Sequence, residues 1–402
     1  MRLSTQSFYT GSLAAMQQQA AELSRLQNQV AIGRRVNTPA DDPIAAVHIL
    51  ELERAQSESE QFGKNSTLIQ NRLNLEEQAL ADTGTILTRV RELTLQASNI
   101  GTLNDSDRRS IATELASRLA ELQDVANRQD GNGEHLFAGF STLTRPFIGG
   151  GSAPVSYAGD QGSRVVQVGP TQRVADSHSG FDVFVNIPEG NGVFATDFAA
   201  SNTGSGAIDV GTVVDRGNWV ADAYTITLTS ATTWEVTDSA TPANVVANGA
   251  YVSGAPIEFN GVRVEITGAP SAGDSFSVTQ SRSEDIFSTI DDAIAALRQP
   301  AGSEAANAKL ATTLEGTLQQ IDQANDHVLS VRAEVGARLS TLESSDSARE
   351  SLDIDIASSL SDLRDLDYAE ALTKMNQRLV GLQAAQMSYS KISQLSLFNY
   401  LR

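Results

Sequence analysis

The chain of 402 residues contains no cysteine, so neither a disulfide framework nor thiolate chemistry is available to it. That absence fits either side of a membrane and does not locate the protein. Lysine is almost missing too: Lys64, Lys309, Lys374 and Lys391 are the only four among 29 basic residues. Against 49 acidic residues the formal net charge is −20, a field that repels nucleic acid and anionic headgroups. The arginines are scattered and form no phosphate-binding stripe, so no nucleic acid is expected as a partner. No window approaches eighteen consecutive apolar residues, and no membrane insertion is expected. The opening Met1-Arg2-Leu3-Ser4-Thr5-Gln6-Ser7 turns polar at once, without an apolar core or small-residue cleavage site, so export by a cleaved signal peptide is not expected.

Chemistry is equally sparse. The four histidines, His48, His135, His178 and His327, stand outside metal-ligand spacing of one another. Gly149-Gly150-Gly151 lacks the Lys-Ser/Thr of a phosphate loop. No catalytic, cofactor-binding or metal residue is assigned, no cofactor is expected, and the chain does not read as an enzyme.

What is present is a sharp compositional divide. Residues 141–282 hold two leucines while the other 260 hold 35, and the same stretch holds 18 of the 30 glycines and seven of the ten prolines. Leucine suits helices, whereas Gly- and Pro-punctuated Thr/Val runs suit strands and turns. The expected class is α+β: a long antiparallel α-helical coiled-coil rod built from both termini, with a β-rich domain inserted in the middle. The expected divisions are terminal helical segments 1–40 plus 367–402, a helical rod 41–148 plus 283–366, and an outward β-rich domain 149–282.

The helical seams follow from spacing. Leu13, Met16, Ala20, Leu23, Gln27 and Val30 alternate three and four apart, predicting a first helix from near Gly11 to Ile32 with Gly33 as its left-handed cap. Asp41-Asp42-Pro43 restarts a helix, with an aspartate cap and proline at the first helical position, running to about Ser98 and carrying Leu73, Leu80 and Leu87. A turn at Gly101–Asp105 leads to a third, antiparallel helix marked by Ile111, Leu115, Leu119, Leu122 and Val125. After the insert, Leu310, Leu314, Thr317, Ile321, Ala324, Val328, Val331, Val335, Arg338 and Leu342 keep the alternation. A last helix carries Leu372, Met375, Leu379, Leu382, Ala385, Tyr389, Ile392 and Leu395. The seam Leu13, Met16, Ala20, Leu23, Val30 is expected to meet Leu372, Met375, Leu379, Leu382, Tyr389, Ile392 and Leu395 as an assembly interface, with the termini at one end of the rod and the β domain at the other. Isolated seams of this kind need a partner, so these helices are expected to order on assembly.

Within the insert, Tyr224–Thr229 and Trp234–Val236 alternate as strands, Asn260-Gly261 sits between alternating runs as a two-residue hairpin, and Asp274–Gln280 supplies another strand. Asp41 and Asp42 are read as capping residues in preference to an acid/base or metal pair. Asp353, Asp355, Asp362, Asp365 and Asp367 form an acidic run without the glycine turn of a calcium loop; pairing with Arg34, Arg35 or Arg364 and simple solvation stand as alternatives.

Gly33-Arg34-Arg35-Val36-Asn37-Thr38-Pro39-Ala40-Asp41-Asp42-Pro43 resembles the turn that follows the first helix in the bacterial flagellin family. Gln394–Leu401 is similar to that family's terminal helix, and Asp130–Phe140 and Glu284–Ile290 resemble segments flanking its variable insert. The resemblance covers residues 1–148 and 283–402. It implies a structural subunit exported unfolded through the flagellar type III apparatus with the help of an export chaperone, ending extracellularly in the flagellum. Within the family the motifs point to a junction subunit, contacting the first hook-associated protein, flagellin and other copies of itself, and seating filament growth. The rivals are a filament subunit and a secreted coiled-coil adhesin whose β domain binds a ligand; an enzyme hidden in the insert lacks a histidine–carboxylate motif.

Overall fold

The computed structural model describes residues 5–151, 153–239, 244–300 and 302–394, and side chains within them other than those of residues 5–9, 244 and 392–394. Helices α1 (Thr5–Ile32), α2 (Pro43–Ala97) and α3 (Asp105–Ala126) precede a strand-rich centre, and α4 (Ile286–Arg298), α5 (Glu304–Arg364) and α6 (Tyr368–Gln394) follow it. Helical termini around a sheet-rich middle make this an α+β fold.

The boundaries have local causes. Helix α1 begins before Gly11, because nothing between Thr5 and Gly11 breaks the helical backbone. It stops at Gly33, whose φ of 75° is left-handed and whose N–H reaches the Gln29 carbonyl at 2.8 Å. The Asp42 carboxylate accepts the Ala45 N–H at 3.0 Å and starts α2. Asn104 and Asp107 form a reciprocal capping box on α3. Asp285 accepts the Ser288 N–H at 2.8 Å and starts α4, and Asp367 accepts from Ala369 and Glu370 to start α6.

The chain forms two compact units, one of residues before Asn65 and after Glu343, the other Asn65–Glu343. In the larger unit, ion pairs Glu77–Arg332 and Arg91–Asp322 set α2 and α5 antiparallel. Asp82–Arg128 and Arg89–Glu114 show that the segment from α3 runs back along α2. Leu73, Leu80 and Leu87 are fully buried in a core shared with Leu115, Leu122, Ile290, Leu314, Ile321 and Val335. Burying each leucine is worth about 1.5–3 kcal/mol.

Short strands Phe147–Gly150 and Ala153–Tyr157, a π-turn at Phe181–Val185 and the strand Ile187–Pro188 join this helical core and not a separate one. Phe147 lies 4.9 Å from Phe287, and Phe137 meets Phe184 edge-on at 5.2 Å. Arg72, buried, reaches Asp130 at 3.3 Å, Glu134 at 3.2 Å and the His135 carbonyl at 3.0 Å, fixing the Asp130–Phe140 loop. His135 donates from Nδ1 to the Asn127 carbonyl and accepts from the Gln129 amide.

A second core begins at Phe194. Its main sheet is antiparallel, in the order Asn244–Ala250, Thr233–Asp238, Tyr224–Ser230, Ser275–Gln280, Phe194–Phe198. The hairpin Pro256–Phe259/Val262–Thr267 turns through Asn260 and Gly261, with φ of 42° and 78°, and pairs further with Ala207–Ile208 and Thr212–Val213. Trp234, Ile226, Val236, Val264 and Phe276 fill the space between them. The in-going and out-going strands of this region run side by side: Ile187–Pro188 pairs with Ser283–Glu284, and the Ser281 N–H reaches the Val193 carbonyl at 3.0 Å.

Candidate assembly surface

In the smaller unit α1 packs against α6. The two are antiparallel: Gly33 lies against the Tyr368 hydroxyl at one end, and Glu22 pairs with Arg378 at 3.1 Å further along.

The connections between helices clasp one another. The Arg35 N–H donates to the Arg364 carbonyl at 2.7 Å, the Leu366 N–H donates to Gly33 at 3.1 Å, and Arg34 stands opposite Asp365 in an antiparallel bridge. The Arg35 guanidinium adds the Leu363 carbonyl at 2.8 Å and lies 3.7 Å from Asp42, while the Gln29 amide donates to the Arg35 carbonyl at 2.6 Å. Asp41 gathers the rest of the turn, accepting from the Asn37 N–H at 3.2 Å, the Thr38 N–H at 2.9 Å and the Thr38 hydroxyl at 3.1 Å. The Thr38 N–H, outweighing partial burial and helped by Asn37 and Arg25, holds the Asp41 carboxyl below its ordinary range. In the acidic run, Asp365 pairs with its neighbour Arg364 at 3.3 Å and Asp353 with Arg349 at 3.3 Å, whereas Asp367 caps α6.

Of the seam residues, Met16, Leu23 and Val30 on α1 and Met375, Leu382 and Tyr389 on α6 are half-buried. Ala20 is exposed, and so are Leu13 at 48%, Leu372 at 41% and Leu379 at 36%. The side chain of Ile392, and Leu395 altogether, lie outside the described residues. The unit's buried apolar cluster is small, comprising Val36, Ala45, Ile49, Ile356 and Leu360. Large apolar side chains remain on its surface: Ile44 at 74%, Val47, Leu50 at 68%, Ile354, Val380 and Met387. Sequence reasoning missed Ile44, Val47 and Leu50. Their spacing runs alongside the buried Ala45 and Ile49 and the half-buried Leu52 on the same helix, and spacing alone does not say which stripe faces inward. Many exposed aliphatic side chains thus stand beside a small buried cluster, the kind of surface on which a proposal of association can rest.

Among the described residues no group of three His, Cys, Asp or Glu is arranged to hold a metal ion, and no helix is long and apolar enough to cross a membrane.

Comparison with known proteins agrees with this geometry. Residues 3–142 match the bacterial flagellin N-terminal helical region, 318–401 the bacterial flagellin C-terminal helical region, and 198–280 the D2-like domain of flagellar hook-associated protein 1. Flagellar hook-associated protein 3 of Escherichia coli K12 is 28% identical over 399 residues, 99% of each chain. The crystal structure of Xanthomonas campestris FlgL is 38% identical, with a TM-score of 0.72 over 77% of this chain and 99% of its own. The flagellar junction protein FlgL from Legionella pneumophila is 32% identical, with a TM-score of 0.71 over 79% of this chain and 100% of its own. Bacillus subtilis flagellin, by contrast, aligns over 109 residues, 27% of this chain. Similarity of sequence from end to end, and of fold over more than three quarters of the chain, places it in the family of flagellar hook-associated protein 3, a structural family of the bacterial flagellum.

Proposed function

We propose that this chain forms the junction between hook and filament and seats flagellin polymerisation. The observation that carries this is the extent of the match: relatives named for the hook-associated role align end to end, whereas flagellins share only a helical part. In this reading the α1–α6 pair and its clasp form the assembly element at the inner face, and the β-rich domain projects outward. The exposed Leu13, Leu372 and Leu379, with Ile44, Val47 and Leu50, are covered by other copies and by the first hook-associated protein on one side and flagellin on the other. The subunit leaves the cell through the flagellar export apparatus, escorted by a chaperone and without cleavage, and acts outside it.

Deleting the gene in its source organism tests the role. Hooks without filaments, with flagellin monomer released to the medium, are expected; intact filaments overturn the reading. For the surface, Leu379→Asp places a charge on an apolar association face. It should abolish incorporation into flagella while the purified variant keeps the near-ultraviolet circular dichroism of its sheet region. Normal filament growth on that variant removes Leu379 from the interface.

A further inference from the structure

The larger unit contains a cleft of about 370 Å³ that the assembly role does not use. It opens where the two strand crossings into the sheet region meet α4 and α5, and four carboxylates line it: Glu189, Asp197, Glu284 and Asp292. Asp197 and Asp292 are exposed at its mouth, while Glu189 and Glu284 are half-buried further in. Among the described residues none of the four forms an ion pair. They feel one another's charge: burial first, then Glu189 and Asp292, push the Glu284 carboxyl up to about 7.

Two further groups make this more than an acidic cluster. Gln320, 2% exposed, lines the same cleft; its Oε1 accepts the Gly190 N–H at 3.1 Å, but its Nε2 donor has no partner. Thr312, 7% exposed, also lines it with an unpartnered hydroxyl. A buried donor left without an acceptor is costly, so the lining calls for a ligand that supplies both positive charge and a neutral oxygen. Among the described residues no three carboxylates converge as a metal-binding group. Their charge is spread along the cleft, which suits a planar, forked cation with several N–H donors and not a point charge.

We propose that this cleft binds an arginine side chain of a partner polypeptide, with the guanidinium among Glu189, Asp197, Glu284 and Asp292. The peptide carbonyl beside that arginine accepts from Gln320. A volume of about 370 Å³ lies within the usual range for a small-molecule pocket, so an arginine with its backbone amide has room.

The probe is N-acetyl-arginine amide, titrated into the full chain and followed by nuclear magnetic resonance with Thr312 and Gln320 as reporters. Saturable shifts at these residues are expected, weakened at least tenfold for the neutral isostere N-acetyl-citrulline amide. Glu284→Gln combined with Asp292→Asn should weaken binding at least tenfold. These neutral substitutions relieve repulsion, and circular dichroism verifies that the variant is folded. Gln320→Met, which leaves every carboxylate in place, should weaken it several-fold. Glu121→Gln, on α3 and outside the lining, should leave it unchanged. Absence of saturable shifts, equal binding of the citrulline probe, or unchanged binding in the double variant overturns the proposal. Full displacement by millimolar magnesium also overturns it, because the cleft is then a metal site.

Discussion

Gly33 shows how much one backbone position decides. Its φ of 75° is left-handed, and a Cβ there would stand 2.7 Å from the Tyr368 hydroxyl. Gly33→Val therefore combines backbone strain with a collision and should cost about 1–3 kcal/mol, read as a lower urea midpoint for the smaller unit. Adding Tyr368→Phe removes the collision and not the strain, so recovery should be partial; full recovery would show that φ is immaterial. His178 makes a different case. It is nearly buried between Glu76, at 2.7 Å and itself fully buried, and Glu334, at 3.2 Å, with Arg338 nearby. Burial by itself lowers its pKa, but the hydrogen bond and charge of Glu76, helped by Glu334 and opposed by Arg338, leave it raised. A raised folded-state pKa means the stabilisation is complete below the unfolded value near 6.5 and is lost as pH rises through the folded value. The difference in unfolding free energy between wild type and His178→Gln should therefore shrink from pH 6 to pH 9, and a constant difference would rule out protonation as its source.

Among the elements, the caps carry measurable weight. Asp42→Ala removes the acceptor for the Ala45 N–H and should cost about 1 kcal/mol, checked by chemical denaturation; Asp42→Asn should recover most of it. Caps were legible in the sequence because their causes lie within one helical turn, as with Gly33 and Asp42, and the buried stripe of Leu73, Leu80 and Leu87 because its seven-residue repeat spans only two. The strands Tyr224–Ser230, Thr233–Asp238 and Ser275–Gln280 alternate inward and outward, and the Asn260-Gly261 turn has its own chemistry. The stretch from Phe147 to Pro188 was not legible. Its strands are two to five residues long, too short for a period. What holds them is tertiary, through Phe147, Phe184 and Ile187 against the helices. The clasp was hidden for a related reason. That Asp367 would cap α6 is a local signal, but the bond from Arg35 to the Leu363 carbonyl joins residues 328 apart and leaves no trace in either segment alone.

At the scale of the molecule, the chain enters and leaves the sheet region through paired crossings at Ile187–Pro188 and Ser283–Glu284. Its apolar core, from Phe194 to Val278, is distinct from that of the helices. Replacing residues 194–280 by a short Gly-Ser link should leave a cooperatively unfolding helical protein, with the fraction of helix in its far-ultraviolet spectrum increased. Loss of the cooperative transition would show that the helices depend on the sheet region for their order. The smaller unit follows a different logic, because α1 has its packing partner in α6. When the chain is made from its N-terminus, α1 emerges early and then waits, unmatched, while more than three hundred residues follow. Closure of this unit therefore falls late, after both ends of the chain have been made. The long loop it closes makes the event slow on the scale of local folding. The timing of its completion is thereby tied to synthesis of the whole chain, and a truncated copy never forms the α1–α6 pair.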